Sequence, residues 1–255
     1  MLLTSGCASA FTARVMIKLD TLSHTYPGGV HALRGLSFDV PAGALACIAG
    51  VNGCGKSTAL TAIAGIVPTD EGDIFVNGTV TEPEERRRAC RLLMQNPDMQ
   101  LIGATVEEDL MLVRGESERG AAWKLLHSLG FDAAPDRPVH TLSWGMKRKL
   151  CLASALMDAP DALLLDEPFS GLDYPGIVEM RRLLSKNRDN GLTQIVAAHD
   201  LECVADIADI FVLVSEGRTV VSGSAEEVFD RLIEHGVRPP CSWRSDRVLE
   251  PWESR

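Results

Sequence analysis

The stretch that most constrains this chain is GVNGCGKST, residues 50–58, because of what stands on either side of it. The preceding run ALACIA (44–49) is continuously apolar, as expected of a strand buried on both faces. The following ALTAIAG (59–65) favours a helix that ends at Gly65. A strand, a G-x-x-x-x-G-K-[ST] loop and a helix in this order form a cradle whose backbone N–H groups surround a polyanion. We therefore expect a phosphate-binding loop here.

Two side chains of this loop have specific expected roles. Lys56 should reach the outer phosphates, and the Ser57 hydroxyl should help to hold Mg²⁺. Cys54 lies in the loop near a helix N-terminus, an environment that lowers the pKa of a thiol, so we expect it to be reactive. The competing interpretation, a glycine-rich turn without a ligand, is disfavoured by the strand and helix around the loop.

A second candidate element is the run ALLLD at 162–166, an apolar stretch that ends in Asp166 and is followed by Glu167. A strand of this kind delivers Asp166 to the carboxyl edge of the sheet, where it can bind Mg²⁺ through water. Glu167, one residue further, is placed to polarise the water that attacks a γ-phosphate. Alone this pattern also fits any strand that ends at an acidic turn, and the glycine loop is what favours the catalytic interpretation.

Three more side chains are candidates because they stand at strand ends. Gln95 follows RLLM and His199 follows TQIVAA, so both can project over the same edge of the sheet as sensors of a γ-phosphate. Tyr26, before PGGV, is a candidate to stack on a base. A surface glutamine, a capping histidine and a strand-end aromatic are the alternatives for these three residues.

The remaining pattern predicts an α/β fold. Residues 17–26 and 33–40 read as antiparallel strands around a PGG turn, and 96–159 read as a helical insertion with a capping box at Thr105 and Glu108. Further strands are predicted at 162–166, 193–199, 210–214 and 219–223, with helices between them. A second capping box, Ser224 and Glu227, should open a last helix that ends near Gly236. Alternating strands and helices predict a mostly parallel sheet with an antiparallel β-subdomain before it.

The expected organisation is a disordered leader (1–15), one domain (16–238) and a C-terminal tail (239–255). The leader lacks the charged and apolar regions of a secretion signal, and Met16 is the expected start of the folded part. A net charge of -10 argues against a nucleic-acid partner. The sequence contains no apolar run of about 18 residues, which is the length needed to span a bilayer. The seven cysteines form no C-x-x-C pair, which fits a reducing cytoplasm.

Taken in order, these stretches resemble the motifs of ATP-binding cassette (ABC) ATPases: Tyr26, the loop 50–58, Gln95, LSWGM (142–146), LLLDEP (163–168), SGLD (170–173) and His199. The resemblance covers residues 16 to about 238. It implies a P-loop NTPase (RecA-like) fold, with a mostly parallel sheet core, an N-terminal antiparallel β-subdomain and an inserted α-helical subdomain. It also implies that the chain binds ATP and Mg²⁺ and hydrolyses ATP.

The resemblance assigns roles residue by residue. Glu167, His199 and Gln95 are the expected catalytic residues, and Ser57, Gln95 and Asp166 the expected Mg²⁺ site. The residues expected to contact nucleotide are Tyr26, Gly50, Val51, Asn52, Gly53, Cys54, Gly55, Lys56, Ser57, Thr58, Ser143, Gly145 and Asp173.

The signature at 142–146 departs from the family pattern L-S-G-G-Q at Trp144 and Met146. In the family this segment starts a helix that engages the γ-phosphate bound by the opposite subunit. The site is either competent or the degenerate half of an asymmetric pair, and we expect Trp144 to pack in the interface between subunits. The basic residues 147–149 read as a solvated helix face that follows the signature.

One copy of each half-site per chain implies a head-to-tail dimer with a second ABC ATPase chain, identical or paralogous. Residues 95–110 and 235–240 resemble the ATPase subunits of energy-coupling factor importers, which take up vitamins and transition-metal ions. That implies a transmembrane coupling protein, contacted around residues 95–109, a substrate-binding membrane protein, and a peripheral location on the cytoplasmic face of the cell membrane.

Three alternatives stay open at this point. One is the ATPase of another ABC importer class, which would share every catalytic residue. Another is a soluble ABC protein of DNA maintenance or translation, although such proteins typically carry long coiled coils or two cassettes. The third is a small-molecule kinase, against which the signature and Asp173 argue because a kinase needs no element acting on a second subunit.

Overall fold

The computed structural model describes residues 15–112 and 114–252. Most of the predicted leader (1–14) lies outside the described residues, and a strand is already formed at Val15. The strands are β1 Val15–Tyr26, β2 Val30–Pro41, β3 Leu45–Ala49, β4 Glu71–Val76, β5 Thr79–Val80, β6 Cys90–Leu93, β7 Ala162–Asp166, β8 Thr193–Ala198, β9 Ile210–Ser215 and β10 Arg218–Gly223. The helices are α1 Lys56–Ile63, α2 Pro83–Ala89, α3 Val106–Met111, α4 Arg119–Ser128, α5 Trp144–Met157, α6 Tyr174–Asp189, α7 Ala225–Val228 and α8 Cys241–Asp246.

The first sheet is antiparallel, in the order β2-β1-β4-β5. Strands β1 and β2 form the predicted hairpin, with Tyr26 opposite Val30 across the PGG turn. Gly28 and Gly29 both have positive φ angles, which glycine adopts without steric cost. The Asn77-Gly78 turn after β4 is also left-handed at both positions and joins β4 to β5.

The second sheet carries the order β10-β9-β3-β8-β7-β6 and is parallel except for β10 at its edge. Every residue of β3 and β8 is buried, as predicted for strands covered on both faces. Alternate residues of β3 enter different cores: Ala46 and Ile48 pack with α1 and the antiparallel sheet, whereas Cys47 packs with α5 and α6. The mostly parallel α/β core and the antiparallel subdomain are thus confirmed.

The helical insertion has a small core of its own, in which Val106, Leu126 and Leu150 from α3, α4 and α5 meet. The predicted capping box at its start is only half formed. The Thr105 side chain accepts a hydrogen bond from the Glu108 N–H, but the Glu108 carboxylate accepts from Ala104 N rather than from Thr105 N. The chain therefore enters α3 with the carboxylate fixing the residue before the cap.

The C-terminal part differs from the predicted pattern. Ser224 and Glu227 form the expected capping box, but α7 is one turn long and is followed by 3₁₀ turns at Phe229–Arg231 and Ile233–His235 before the left-handed Gly236. The tail contains the short helix α8, whose Trp243 is buried in the core on the α5–α6 side. Among the described residues, no helix is both long and apolar enough to cross a membrane.

Candidate nucleotide-binding and hydrolysis site

Four neighbouring parallel strands, β3, β8, β7 and β6, end at one edge of the second sheet. The predicted phosphate loop follows β3, His199 follows β8, the Asp166–Glu167 pair ends β7, and Gln95 lies two residues beyond β6. The carboxyl edge of a parallel sheet is where ligands bind in α/β folds. The parallel strands bring these residues to one edge, and the strand order, which the sequence pattern alone does not give, decides which of them are neighbours there.

The phosphate loop closes around its lysine. Lys56 is buried, and its Nζ donates to Gly50 O at 2.7 Å and to Val51 O at 3.1 Å. Two neutral carbonyls occupy two of the three N–H donors of the ammonium, so its charge and its third N–H can act on an anion at the start of α1. That arrangement fits a phosphate group of a bound nucleotide.

Close packing explains two of the loop glycines. A Cβ on Gly50 would lie 2.4 Å from Cys54 Sγ and 2.5 Å from Val214 O, and a Cβ on Gly55 would lie 2.7 Å from Ala32 O. Gly55 also has a φ of 110°, which L residues rarely adopt. The loop can therefore hold this shape only with glycine at both positions.

The structure contradicts the lowered pKa on which the expectation of a reactive Cys54 rests. The thiol is buried beneath Gly50, and burial raises the pKa of Cys54 above its usual value more than Lys56 lowers it. A neutral thiol in this position packs against the loop and is a poor nucleophile. If Cys54 contacts nucleotide, as predicted, it does so through its backbone N–H and not through its thiol.

Asp166 is the carboxylate that best fits a cation. Its Oδ1 is buried with no hydrogen-bond partner among the described residues. Burial raises the pKa of Asp166, with a hydrogen bond from Ser57 and the charge of Lys56 acting in the opposite direction. A buried oxygen without a partner, beside a serine hydroxyl, is a donor set that a hard cation such as Mg²⁺ would complete.

Glu167 is held in an unusual backbone conformation next to Asp166. Its φ is 47°, and its N–H donates to Ala197 O of β8 at 3.0 Å. The Glu167 Oε1 lies 2.7 Å from the Nδ1 of His199. A non-glycine residue with positive φ is uncommon and is often found at functional sites, and here it fixes the carboxylate between two strand ends.

Tyr26 stands beside the first turn of α1. Its hydroxyl lies 3.3 Å from Thr58 Oγ1, and its ring meets the buried His24 edge-on, with centroids 4.6 Å apart. The ring remains about one-third exposed, at 37%. An aromatic face fixed by its neighbours and open on one side is suited to stacking against a base.

Arg148 was missed by the sequence interpretation, which treated residues 147–149 as a solvated face. It is 1% exposed, and its guanidinium donates to Pro168 O and, at 3.0 Å, to Gln95 O. One buried side chain of α5 thus joins the segment after β6 to the segment after β7. Lys147 is not free either, because its Nζ pairs with Asp98 at 2.6 Å.

The signature and the SGLD loop form a second group. Ser143 caps α5 by accepting from Met146 N at 3.3 Å, and Asp173 caps α6 by accepting from Gly176 N at 3.0 Å. Outside its own helix turn, no described atom lies within 4 Å of where a Cβ on Gly145 would be, and the residue is partly exposed. These residues line a cavity of about 940 Å³ to which, among the described residues, the loop 50–58 contributes nothing.

The comparisons with known proteins agree with this geometry. Residues 33–170 match the ABC transporter family. The chain is 38% identical to the cobalt import ATP-binding protein CbiO of Rhodobacter capsulatus, over 88% of this chain and 85% of that protein. It is 34% identical to the energy-coupling factor transporter ATP-binding protein EcfA of Methanoculleus marisnigri, over 85% and 82%. The structure of cbiO1 from Clostridium perfringens, part of the transporter complex cbiONQ, superposes with a TM-score of 0.74 at 30% identity, over 85% of this chain and 91% of that one.

Proposed function

Since the chain belongs to the ABC transporter family and is an ATP-hydrolysing, nucleotide-binding subunit of an importer, we propose that this importer is of the energy-coupling factor class. Its substrate class is then a transition-metal ion or a vitamin, and the relative named for cobalt import favours the metal ion. The chain would act on the cytoplasmic face of the cell membrane as a peripheral subunit. The convergence of Lys56, Asp166, Glu167 and His199 at one sheet edge supports ATP hydrolysis. The observation that carries the importer class is the similarity over most of the chain to proteins named for cobalt import and energy-coupling factor transport.

Each residue of the site has a chemical task in this proposal. Tyr26 stacks on the base, and Lys56 with the N–H groups of the loop binds the outer phosphates. Ser57, Asp166 and Gln95 would hold Mg²⁺, which neutralises phosphate charge when bound. Glu167 accepts a proton from the attacking water, while His199 orients the Glu167 carboxylate.

A dimer follows from the separation of the two halves of the site. Ser143, Gly145 and Asp173 line a cavity to which the loop 50–58 does not contribute, yet both groups of residues carry atoms suited to a phosphate or its surroundings. A second ABC ATPase chain placed head to tail would bring the signature of each subunit to the nucleotide of the other. The partner chain is identical or paralogous in this proposal.

The surface around residues 95–112 is suited to a membrane partner. Met99, Ile102 and Leu112 are exposed apolar side chains at 72%, 75% and 53%. Leu112 lines a cavity of about 200 Å³ together with Gln100, which follows Met99, and Asp109, which binds the backbone of Ile102. Exposed apolar side chains grouped at a concave surface mark a protein–protein contact. We assign this surface to the transmembrane coupling protein, with a separate membrane protein binding the substrate.

Copurification tests the proposed function directly. A tagged full-length chain is purified from detergent-solubilised membranes of its own cell, and the copurifying subunits are identified by mass spectrometry. We expect a second ABC ATPase, a transmembrane coupling protein and a small substrate-binding membrane protein, and Mg²⁺-dependent ATP hydrolysis by the complex. Recovery with the permease subunits of another importer class, or with no membrane protein, would overturn the assignment.

A further inference from the structure

The indole of Trp144 contacts the SGLD loop of its own chain. A Cβ built on Gly171 would lie 3.1 Å from Trp144 Nε1 and 3.3 Å from Cδ1, which is closer than ordinary contact. Gly171 has a φ of 73°, so the loop presents bare backbone to the indole. The bulky residue of this unusual signature therefore fits against a position that has no side chain.

This contact spans a gap in the packing. The cavity of about 940 Å³ separates α4 and α5 on one side from α6 on the other. Lys149 and Glu179 also cross it as an ion pair at 2.7 Å, but Glu179 is exposed and Lys149 partly so, and exposed ion pairs contribute little to stability. The van der Waals contact of the indole edge with Gly171 is therefore well placed to fix the distance between the start of α5 and the SGLD loop.

A second tryptophan meets the other end of the same loop. Trp252 stacks on Tyr174, the residue after Asp173, with centroids 5.1 Å apart and an interplanar angle of 23°. The backbone N–H of Trp252 donates to Asp206 Oδ2 at 2.9 Å, and the Arg181 guanidinium lies 5.2 Å from the indole centroid. Arg181 and Asp206 are themselves paired at 2.7 Å with little exposure, so the tail is attached to a rigid part of the chain.

We propose that Trp144 and Trp252 are positioning residues that hold the loop 170–173 between the signature helix and the C-terminal tail. The inference deepens the proposed function, since this loop carries Asp173 and lies beside Ser143 at the expected trans half-site. With both indoles in place, the signature and the loop meet the opposite nucleotide as one unit. Loosening either indole leaves the phosphate loop intact but misplaces the signature and the loop 170–173 relative to the nucleotide of the opposite subunit.

Fluorine NMR tests the contacts without nucleotide or partner. The full chain is labelled with 5-fluorotryptophan, and its 4 tryptophan resonances are assigned with single Trp→Phe variants. We expect Gly171→Ala to shift the Trp144 resonance and Tyr174→Leu to shift the Trp252 resonance, while those of Trp123 and Trp243 stay in place. Resonances of Trp144 and Trp252 that stay in place in folded variants would overturn the proposal.

A double-mutant cycle covers the case in which Gly171→Ala folds poorly. Because the added Cβ would collide with the indole, Gly171→Ala should lower the unfolding midpoint less in a Trp144→Ala background than in wild type. If the unfolding midpoint falls equally in both backgrounds, the alanine destabilises the chain only through the strained backbone angle at position 171, and the proposed contact with Trp144 is refuted.

Steady-state kinetics of the purified transporter complex then separates positioning from nucleotide binding. Trp144→Ala and Trp252→Ala should each lower kcat at least about fivefold with the KM for ATP within about twofold, because the residues that bind ATP in cis are untouched. Trp144→Phe should restore more than half of kcat, and Trp123→Phe is the matched control. An unchanged kcat, or a raised KM alone, would refute the positioning role; an inactive wild-type complex with the expected NMR shifts would count against the proposed function instead.

Discussion

The Nδ1 of His199 lies 2.7 Å from the Oε1 of Glu167, which links the residues that follow two neighbouring parallel strands. The Glu167 side chain is 12% exposed, whereas that of His199 is 50% exposed. The Glu167 carboxylate is thus mostly shielded from solvent and is held in one orientation by a half-exposed histidine. A base held in one orientation loses less free energy on reaching the transition state than a mobile one.

Glu167→Gln should bind ATP with wild-type affinity and hydrolyse it about 10²–10⁴ times more slowly, because the amide cannot accept the proton of the attacking water. Nucleotide binding by fluorescence titration and phosphate release by the transporter complex provide the two measurements. Glu118→Gln, at an exposed turn away from the sheet edge, is the control. Turnover within about threefold of wild type would remove Glu167 from this role.

His199→Ala should slow hydrolysis through Glu167, so the two substitutions should not be additive. In the wild-type background we expect kcat to fall by at least about tenfold, and in the Glu167→Gln background to change by less than about twofold. Single-turnover hydrolysis by all four proteins of this cycle is the measurement. Full additivity would show that His199 acts on the phosphate independently of Glu167.

Cys54 should react slowly with maleimide at neutral pH, since its thiol is buried and its pKa is raised by burial. Peptide mapping by mass spectrometry should show Cys241, which is exposed, labelled at least about tenfold faster. Saturating MgATP should alter the Cys54 rate little, because the thiol already lies beneath Gly50. Rapid labelling that MgATP abolishes would restore the interpretation of Cys54 as a reactive thiol facing phosphate.

Arg148→Met should destabilise the chain, because the carbonyls of Gln95 and Pro168 would lose their buried donor. A buried acceptor left unpaired costs about 1–3 kcal/mol, which applies to the carbonyl of buried Pro168, whereas Gln95 is exposed and its carbonyl can turn to water. Urea unfolding monitored by circular dichroism gives the change, with Arg88→Met on the exposed side of α2 as the control. Arg148→Met with the stability of its control would mean that these carbonyls find other partners.

Asp109→Ala should detach the chain from its membrane partner while leaving ATP binding intact. Asp109 Oδ1 accepts from Ile102 N at 2.8 Å and from Gly103 N at 3.0 Å, so it shapes the loop that exposes Met99 and Ile102. Asp109→Asn retains an acceptor oxygen and should preserve at least part of the assembly. The yield of coupling protein in the copurification measures the effect, and an undiminished yield with Asp109→Ala would place the contact elsewhere.

Local sequence determined the parts of this protein that depend on a few adjacent residues. The glycine loop, the buried strands β3, β7 and β8, the hairpin at Tyr26 and the cap at Ser224 all form as the pattern predicts. Their causes are local: apolar runs bury themselves, glycine permits left-handed turns, and short polar side chains cap helices. The candidate catalytic residues were found for the same reason, since each lies within two residues of the end of a strand.

Tertiary structure decided what depends on residues far apart in sequence. The pairing of Glu167 with His199 follows from β7 lying beside β8, and the burial of Arg148 follows from carbonyls 53 and 20 positions away in the chain. A basic run looks solvated when only its own helix is considered, and a loop thiol looks reactive when its burial is ignored. The contact of the Trp144 indole with Gly171 also depends on residues far apart in sequence and cannot be seen from the signature alone. Burial and long-range contacts set these outcomes, because the cost of removing a charge from water or of filling a gap depends on what the rest of the fold supplies.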